Sequence, residues 1–122
     1  MKPKVLLLVV LVALAGMTIP SNAGTRARTR VTISVEGRDF SGLVKSPRPG
    51  RCADGRVIRL HKQEGQEQRP RTDNVVASDT ASKNGDRYEW NTGNTGINGR
   101  FYARAKRTEH CKADSSRTLH TE

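Results

Sequence analysis

The segment Arg30-Val-Thr-Ile-Ser-Val-Glu36 sets Val31, Ile33 and Val35 at strictly alternate positions, with polar residues between them. That period of two belongs to an extended strand with one buried face. Short apolar or alternating runs recur at Phe40 to Lys45, Val57 to Lys62, Val75 to Ser78, Tyr88 to Trp90, Phe101 to Arg107 and Thr118 to Thr121, with turn residues between them. No stretch beyond residue 24 repeats apolar residues at i, i+3, i+4 and i+7 over three turns, so helices are not expected to build the fold. The pattern predicts an all-β domain of about seven short strands, whose spacing suits a sandwich better than a closed barrel. Asn84-Gly85 and Asn98-Gly99 are turn signals, since both residue types tolerate positive φ. The stretches Ser46 to Gly50 and Gly65 to Thr72 read as longer loops.

Composition makes that fold marginal. Leu, Ile, Val and Phe supply 14 of the 99 residues after position 23, a share that borders on disorder. What argues for folding is their placement in alternating runs. Phe40, Trp90 and Phe101 are the expected core aromatics, with Val44, Ile58, Leu60, Val76, Tyr88, Ala103 and Leu119 around them.

Residues 1–23 read as a secretory signal peptide. Lys2 and Lys4 form its charged start, Val5 to Ala15 its apolar run, and Ser21-Asn22-Ala23 the small residues of a cleavage site. The run is far short of the roughly 20 apolar residues a membrane span needs. Leu14-Ala-Gly-Met17 has methionine where a lipid-bearing cysteine would stand, so no lipid anchor and no membrane insertion are expected. The chain divides into this signal, a basic N-terminal arm at 24–30 and a domain at 31–122, secreted and monomeric. Export makes a disulfide the default for its two cysteines, Cys52 and Cys111. Such a bridge would tie two loops at one end of the sandwich.

Two stretches carry a resemblance. Ser78 to Trp90, followed by Gly99-Arg-Phe-Tyr-Ala-Arg-Ala105, resembles the acidic turn, aromatic strand and Gly-x-Tyr pattern of prealbumin-like and carboxypeptidase regulatory-like sandwiches, which are related in outline to Ig-like domains. The chain is also similar to short secreted bacterial domains of unassigned role, through Phe40 to Ser46, Cys52 with Arg56 to Leu60, Phe101 to Lys106, and Cys111 to Ser115. The first resemblance implies a non-catalytic accessory module; the second leaves the function open.

Charge is the remaining lead. The full chain has 22 Lys+Arg against 12 Asp+Glu; removing Lys2 and Lys4 leaves 20 against 12, a net charge of +8. A surplus of this size favours polyanions through counterion release. Arg26, Arg28 and Arg30 alternate along the arm and would project from one side if it is extended. Arg100, Arg104 and Lys106 share one strand face, with Tyr102 expected on that same outward face and Arg107 just beyond. The expected partner is an anionic polymer, of cell envelope or nucleic acid, or a protein.

The enzyme alternative is a small secreted ribonuclease, which needs a base, an acid and an arginine that holds phosphate. His61, His110, His120 and Glu109 are its candidates, although surface histidines are the simpler expectation. An antimicrobial toxin is a third class, without an amphipathic membrane-active helix to support it. No metal-ligand spacing, phosphate-cradling glycine loop or Gly-x-Ser-x-Gly turn is present, so neither catalysis nor a cofactor is expected.

Overall fold

The structure, a computed structural model, describes residues 25–122; the signal peptide expected at 1–23 lies outside the described residues. Among the described residues, ten strands and one helical turn succeed one another as β1 (Arg30–Val31), β2 (Ser34–Glu36), β3 (Asp39–Lys45), α1 (Pro49–Cys52), β4 (Val57–Lys62), β5 (Asn74–Thr80), β6 (Ser82–Asn84), β7 (Arg87–Asn94), β8 (Gly99–Ala105), β9 (Asp114–Ser115) and β10 (Leu119–Thr121). They form two antiparallel five-stranded sheets. In the first, β1 and β2 lie along one edge of β3, followed by β7 and β6. In the second, β9 and β10 lie along one edge of β8, followed by β4 and β5.

The all-β sandwich with one disulfide is therefore present, with ten strands where about seven were expected. One added strand comes from a break in Arg30 to Glu36. Thr32 donates its backbone N–H to Leu43 O (3.0 Å), its hydroxyl accepts Leu43 N–H (2.9 Å), and its carbonyl oxygen accepts the Trp90 indole N–H (3.1 Å). The indole thus takes a backbone acceptor at the point where β1 gives way to β2. A second addition is β6, which continues from β5 around the buried Ala81 and carries the chain from the second sheet to the first. Ala81 is fixed there by its N–H to Arg56 O (2.8 Å) and its carbonyl to Gly55 N–H (2.9 Å). The third is the short β9, joined to β1 at the opposite seam by Val31 N–H to Asp114 Oδ2 (2.7 Å). The Asn84-Gly85 signal does form the β6–β7 hairpin, with Asn84 opposite Arg87 and Gly85 at φ 67°.

Phe40 of the first sheet and Phe101 of the second meet at 4.9 Å between ring centroids, tilted by 53°, and join the two faces of the core. Val44, Ile58, Leu60, Trp90 and Ala103 pack around them, while Val76, Tyr88 and Leu119 lie at the margin, partly buried.

One end is stapled. Cys52, in α1, and Cys111 form the expected disulfide, with Cα atoms 5.6 Å apart. The segment read as a basic N-terminal arm is docked here. Ala27 bridges Cys111 in parallel, donating to His110 O (2.9 Å) and accepting Lys112 N–H (2.8 Å), and Ala27 and Thr29 are buried. Alternation explains the docking: small residues between the arginines can pack inward while Arg28 and Arg30 stay exposed. Arg56, only 5% exposed, closes the same end. Its Nη1 donates to Thr29 Oγ1 and Cys52 O (both 2.9 Å), and its Nη2 to Lys106 O (2.8 Å) and Lys112 O (2.9 Å). Four chain segments are thereby held on one guanidinium.

Candidate anion-binding site

The outer face of the second sheet is built from β4 and β8. Ile58 and Leu60 turn inward from β4, leaving Val57, Arg59 and His61 for the outer face; Phe101, Ala103 and Ala105 turn inward from β8, leaving Tyr102 and Arg104, with Lys106 just past its end. The register sets Arg59 opposite Arg104 and, at the next outward pair, His61 opposite Tyr102. A β-bulge beside Leu60 and His61 pairs Leu60 with Ala77 and His61 with Val75. Val76 consequently packs on the core margin while Val75 remains 48% exposed.

Tyr102, expected on an open strand face, is fully buried, and His61, expected at the surface, is 4% exposed. Both corrections have one cause: the 63–73 loop folds over this rung and brings Asp73 with it. The Tyr102 hydroxyl donates to Asp73 Oδ2 at 2.6 Å, and the same carboxylate accepts the N–H groups of Arg69 (2.7 Å) and Glu64 (3.2 Å). The His61 ring stacks on Tyr102 at 5.0 Å and 3°, with Nδ1 3.3 Å from Asp73 O. Gln68 ties the loop to the C-terminal segment through Ser116 O (2.8 Å) and Thr118 Oγ1 (2.9 Å).

The protonation states follow from these contacts. Burial pushes the Asp73 carboxyl up, but the Tyr102 hydroxyl and the Arg69 and Glu64 amides together hold it below its ordinary value. Burial, then the Asp73 carboxylate, push the Tyr102 phenol up. For His61, burial lowers the pKa, Asp73 opposes, and Arg104 and Arg59 add to the lowering, which leaves a neutral ring at neutral pH.

Beside this unit opens a cleft of about 540 Å³, lined by Arg59, His61, Pro70, Arg71, Val75, Arg104, Lys106 and Arg107. Five of those side chains are cationic and none is acidic. None of the five is in an ion pair among the described residues. Arg104 is steadied by Nη1 donating to Ser115 Oγ at 2.7 Å. A second cleft of about 470 Å³ adjoins it, sharing Arg59, Lys106 and Arg107 and running to the disulfide past Arg51, Asp54, Glu109 and His110.

Of the residues expected to bind anions, Arg104 and Lys106 come together here. Arg100 lines neither cleft; it lies on the far side of Tyr102, opposite His120. Arg28 and Arg30 line a separate cleft of about 650 Å³ at the β1–β9 seam, with Arg117 and Asp114, while Arg26 Nε donates to Thr108 O at 3.0 Å. Arg59 and Arg71 were not singled out from sequence. Arg59 was visible as an outward position on Val57 to Lys62, but only strand pairing puts β4 against β8.

The ribonuclease candidates do not converge. His61 lines the first cleft, whereas His110 lines the second, 3.2 Å from Glu109 Oε1, and His120 stands 3.8 Å from Glu122 near the C-terminus. No group of three His, Cys, Asp or Glu residues able to hold a metal occurs among the described residues, and none of their helices is long and apolar enough to cross a membrane. No family model and no curated protein matches this chain.

Proposed function

We propose that this protein is an exported, non-catalytic module that binds an anionic polymer along the cationic cleft on the outer face of its second sheet. The observation that carries the reading is the cleft itself, with five cations, no acid, and Arg59 directly across the ladder from Arg104. Like charges at facing sheet positions cost a few tenths of a kcal/mol up to about 1 kcal/mol. An anionic ligand relieves that repulsion, and no acid of the cleft wall does. Export is supported by the signal-like Lys2 to Ala23 and by the disulfide.

Recognition here is of charge, not of rings. Tyr102, the aromatic nearest the cleft, is fully buried and leaves no stacking platform. Catalysis has less support, because an acid and a base must both reach one reacting group. His61 lies four residues along β4 from Val57, roughly 13 Å, and Val57 lines the His110 cleft.

The test is binding of the exported protein to single-stranded polyanions and to a neutral polysaccharide over a salt series. Five engaged cations predict a log–log salt slope of about −3 to −4 for a single-stranded phosphodiester polymer. Equal binding to the neutral polymer, or no binding to polyanions at low salt, overturns the reading.

A further inference from the structure

Resting on that reading and deepening it, we infer that the Arg59–Arg104 rung, with His61 at the next outward pair and Arg71 on the facing loop, seats one phosphodiester group of the polymer, and that His61 takes up a proton as the group binds.

The rung has the chemistry of an oxyanion seat. Two guanidiniums, each able to offer a fork of N–H donors, face each other across β4 and β8. Ser115 holds one Nη of Arg104 and leaves its other donors uncommitted. Spacing selects the ligand. Arg104 near the end of β8 and Lys106 just beyond it are two residues apart, at most about 7 Å along an extended chain, on the scale of neighbouring phosphates in a stretched single strand. Sulfated glycans can carry several esters on one sugar unit, a denser and less regular array than this step.

His61 is arranged to respond. Its Nδ1 faces the Asp73 carbonyl, which only accepts, so the neutral ring carries its proton on Nδ1 and leaves Nε2 as a bare lone pair. Stacking on Tyr102, itself locked to Asp73, fixes the plane of the ring. A bare lone pair repels an oxyanion; an Nε2–H donates to one.

The charged groups facing His61 are Arg59 from its own strand, Arg104 from β8, Asp73 and Arg71 from the loop, and Lys106 and Arg107 beyond β8. Burial opposes the imidazolium most, Asp73 favours it, and Arg104 and Arg59 add an electrostatic opposition of their own. An anion seated between the two arginines cancels that opposition and adds an acceptor, so binding and protonation support each other.

The experiment follows the His61 ring by NMR over pH 5–8 in the exported protein, free and saturated with oligothymidylate, whose phosphodiesters and bases do not titrate in this range. Dextran sulfate forms the comparison arm, and His120, away from the cleft, is the internal reference. The His61 pKa is expected to rise by about one unit with oligothymidylate, and affinity to rise up to about tenfold as pH falls across that range. His61→Gln should flatten the pH dependence and keep the salt-dependent binding; Arg59→Gln should abolish the His61 shift.

Salt-dependent binding with an unmoved, pH-flat His61 overturns the seat and leaves the cleft reading standing. No binding of either polymer overturns both. An equal shift with dextran sulfate overturns the assignment to phosphodiesters. The wild-type titration decides the matter even if a variant fails to fold.

Discussion

Replacing Arg56 by alanine removes the one side chain that joins the N-terminal segment, α1, the end of β8 and the chain after Cys111. Four acceptors lose their donor: Thr29 Oγ1, Cys52 O, Lys106 O and Lys112 O. The bonds to Thr29 and Cys52 are fully buried, where water cannot readily substitute, and each orphaned acceptor costs about 1–3 kcal/mol. Against this, burial lowers the Arg56 pKa, the sign of a guanidinium held at a desolvation cost that the variant escapes. No anion is left stranded by the change. The acceptors win, with a net loss of about 3 kcal/mol. For a domain near 100 residues that lowers the melting temperature by about 12–24 °C. The assay is thermal unfolding by circular dichroism on oxidised protein, with the intact disulfide verified by mass. Arg56→Lys should recover only part of the loss, since three ammonium donors cannot meet four acceptors arranged around a planar fork. An Arg56→Ala protein that melts within about 4 °C of the parent would refute the argument, showing that the carbonyls find water at little cost.

Reduction of the Cys52–Cys111 bridge, which spans 59 residues, should cost about 4 kcal/mol in the chain-entropy treatment, read as a lowered denaturation midpoint with the same final fluorescence. At Gly42, a Cβ would overlap the Thr32 carbonyl oxygen and come within 2.7 Å of Trp90 Nε1, so Gly42→Ala should lose about 1–3 kcal/mol and shift the Trp90 emission; an unchanged melt and spectrum would count against this close approach. His61 and Asp73 both have folded pKa values below their ordinary ones, so their contributions are complete above the unfolded values and lost as pH falls through the folded ones. Stability without ligand should therefore decline first below about pH 6.5 and again below about pH 4, and His61→Gln should remove the first decline. Arg59→Thr should raise stability by a few tenths of a kcal/mol at low salt while weakening polyanion binding and reducing the salt slope by about 0.7; weaker binding without a gain in stability would show that the facing arginines do not repel.

Much of the fold was legible because alternation reports directly on which side chains face the core. The run Val57 to Lys62 is β4 residue for residue, Phe40, Trp90 and Phe101 are buried as their placement implied, and two cysteines behind a signal-like leader predicted the bridge. What alternation does not report is what covers the other face. Tyr102 lies outward on β8, yet a loop anchored 29 residues earlier, at Asp73, closes over it. Nothing local to Phe101-Tyr-Ala encodes that cover. The same limit applies to Thr32, whose carbonyl is claimed by an indole 58 residues away, and to the arm, whose partner is the chain around Cys111. The candidate site was legible as a basic strand but not as a cleft, since its second wall comes from β4 and from Arg71.

Arg56 and Arg59 stand three residues apart and show why composition alone does not identify a binding surface. Arg56 borders the second cleft, yet its guanidinium is enclosed by four oxygen acceptors, so the donors that would grip a ligand are already committed inside the protein. Arg59 faces another arginine, forms no ion pair among the described residues and lines two clefts. A surplus charge kept only for solubility can sit anywhere on the surface, and self-repulsion would tend to spread it. Here five cations border one cleft from three chain segments, with acids only in the adjoining cleft, so the repulsion is concentrated where an anionic ligand would relieve it. If charge at that cleft were there for solubility alone, moving it elsewhere would leave binding intact. Arg59→Thr combined with Ser34→Arg, at an exposed position of the first sheet that lines neither cleft, holds net charge constant and separates the two cases: binding that follows net charge supports solubility, and binding lost with Arg59 supports the cleft.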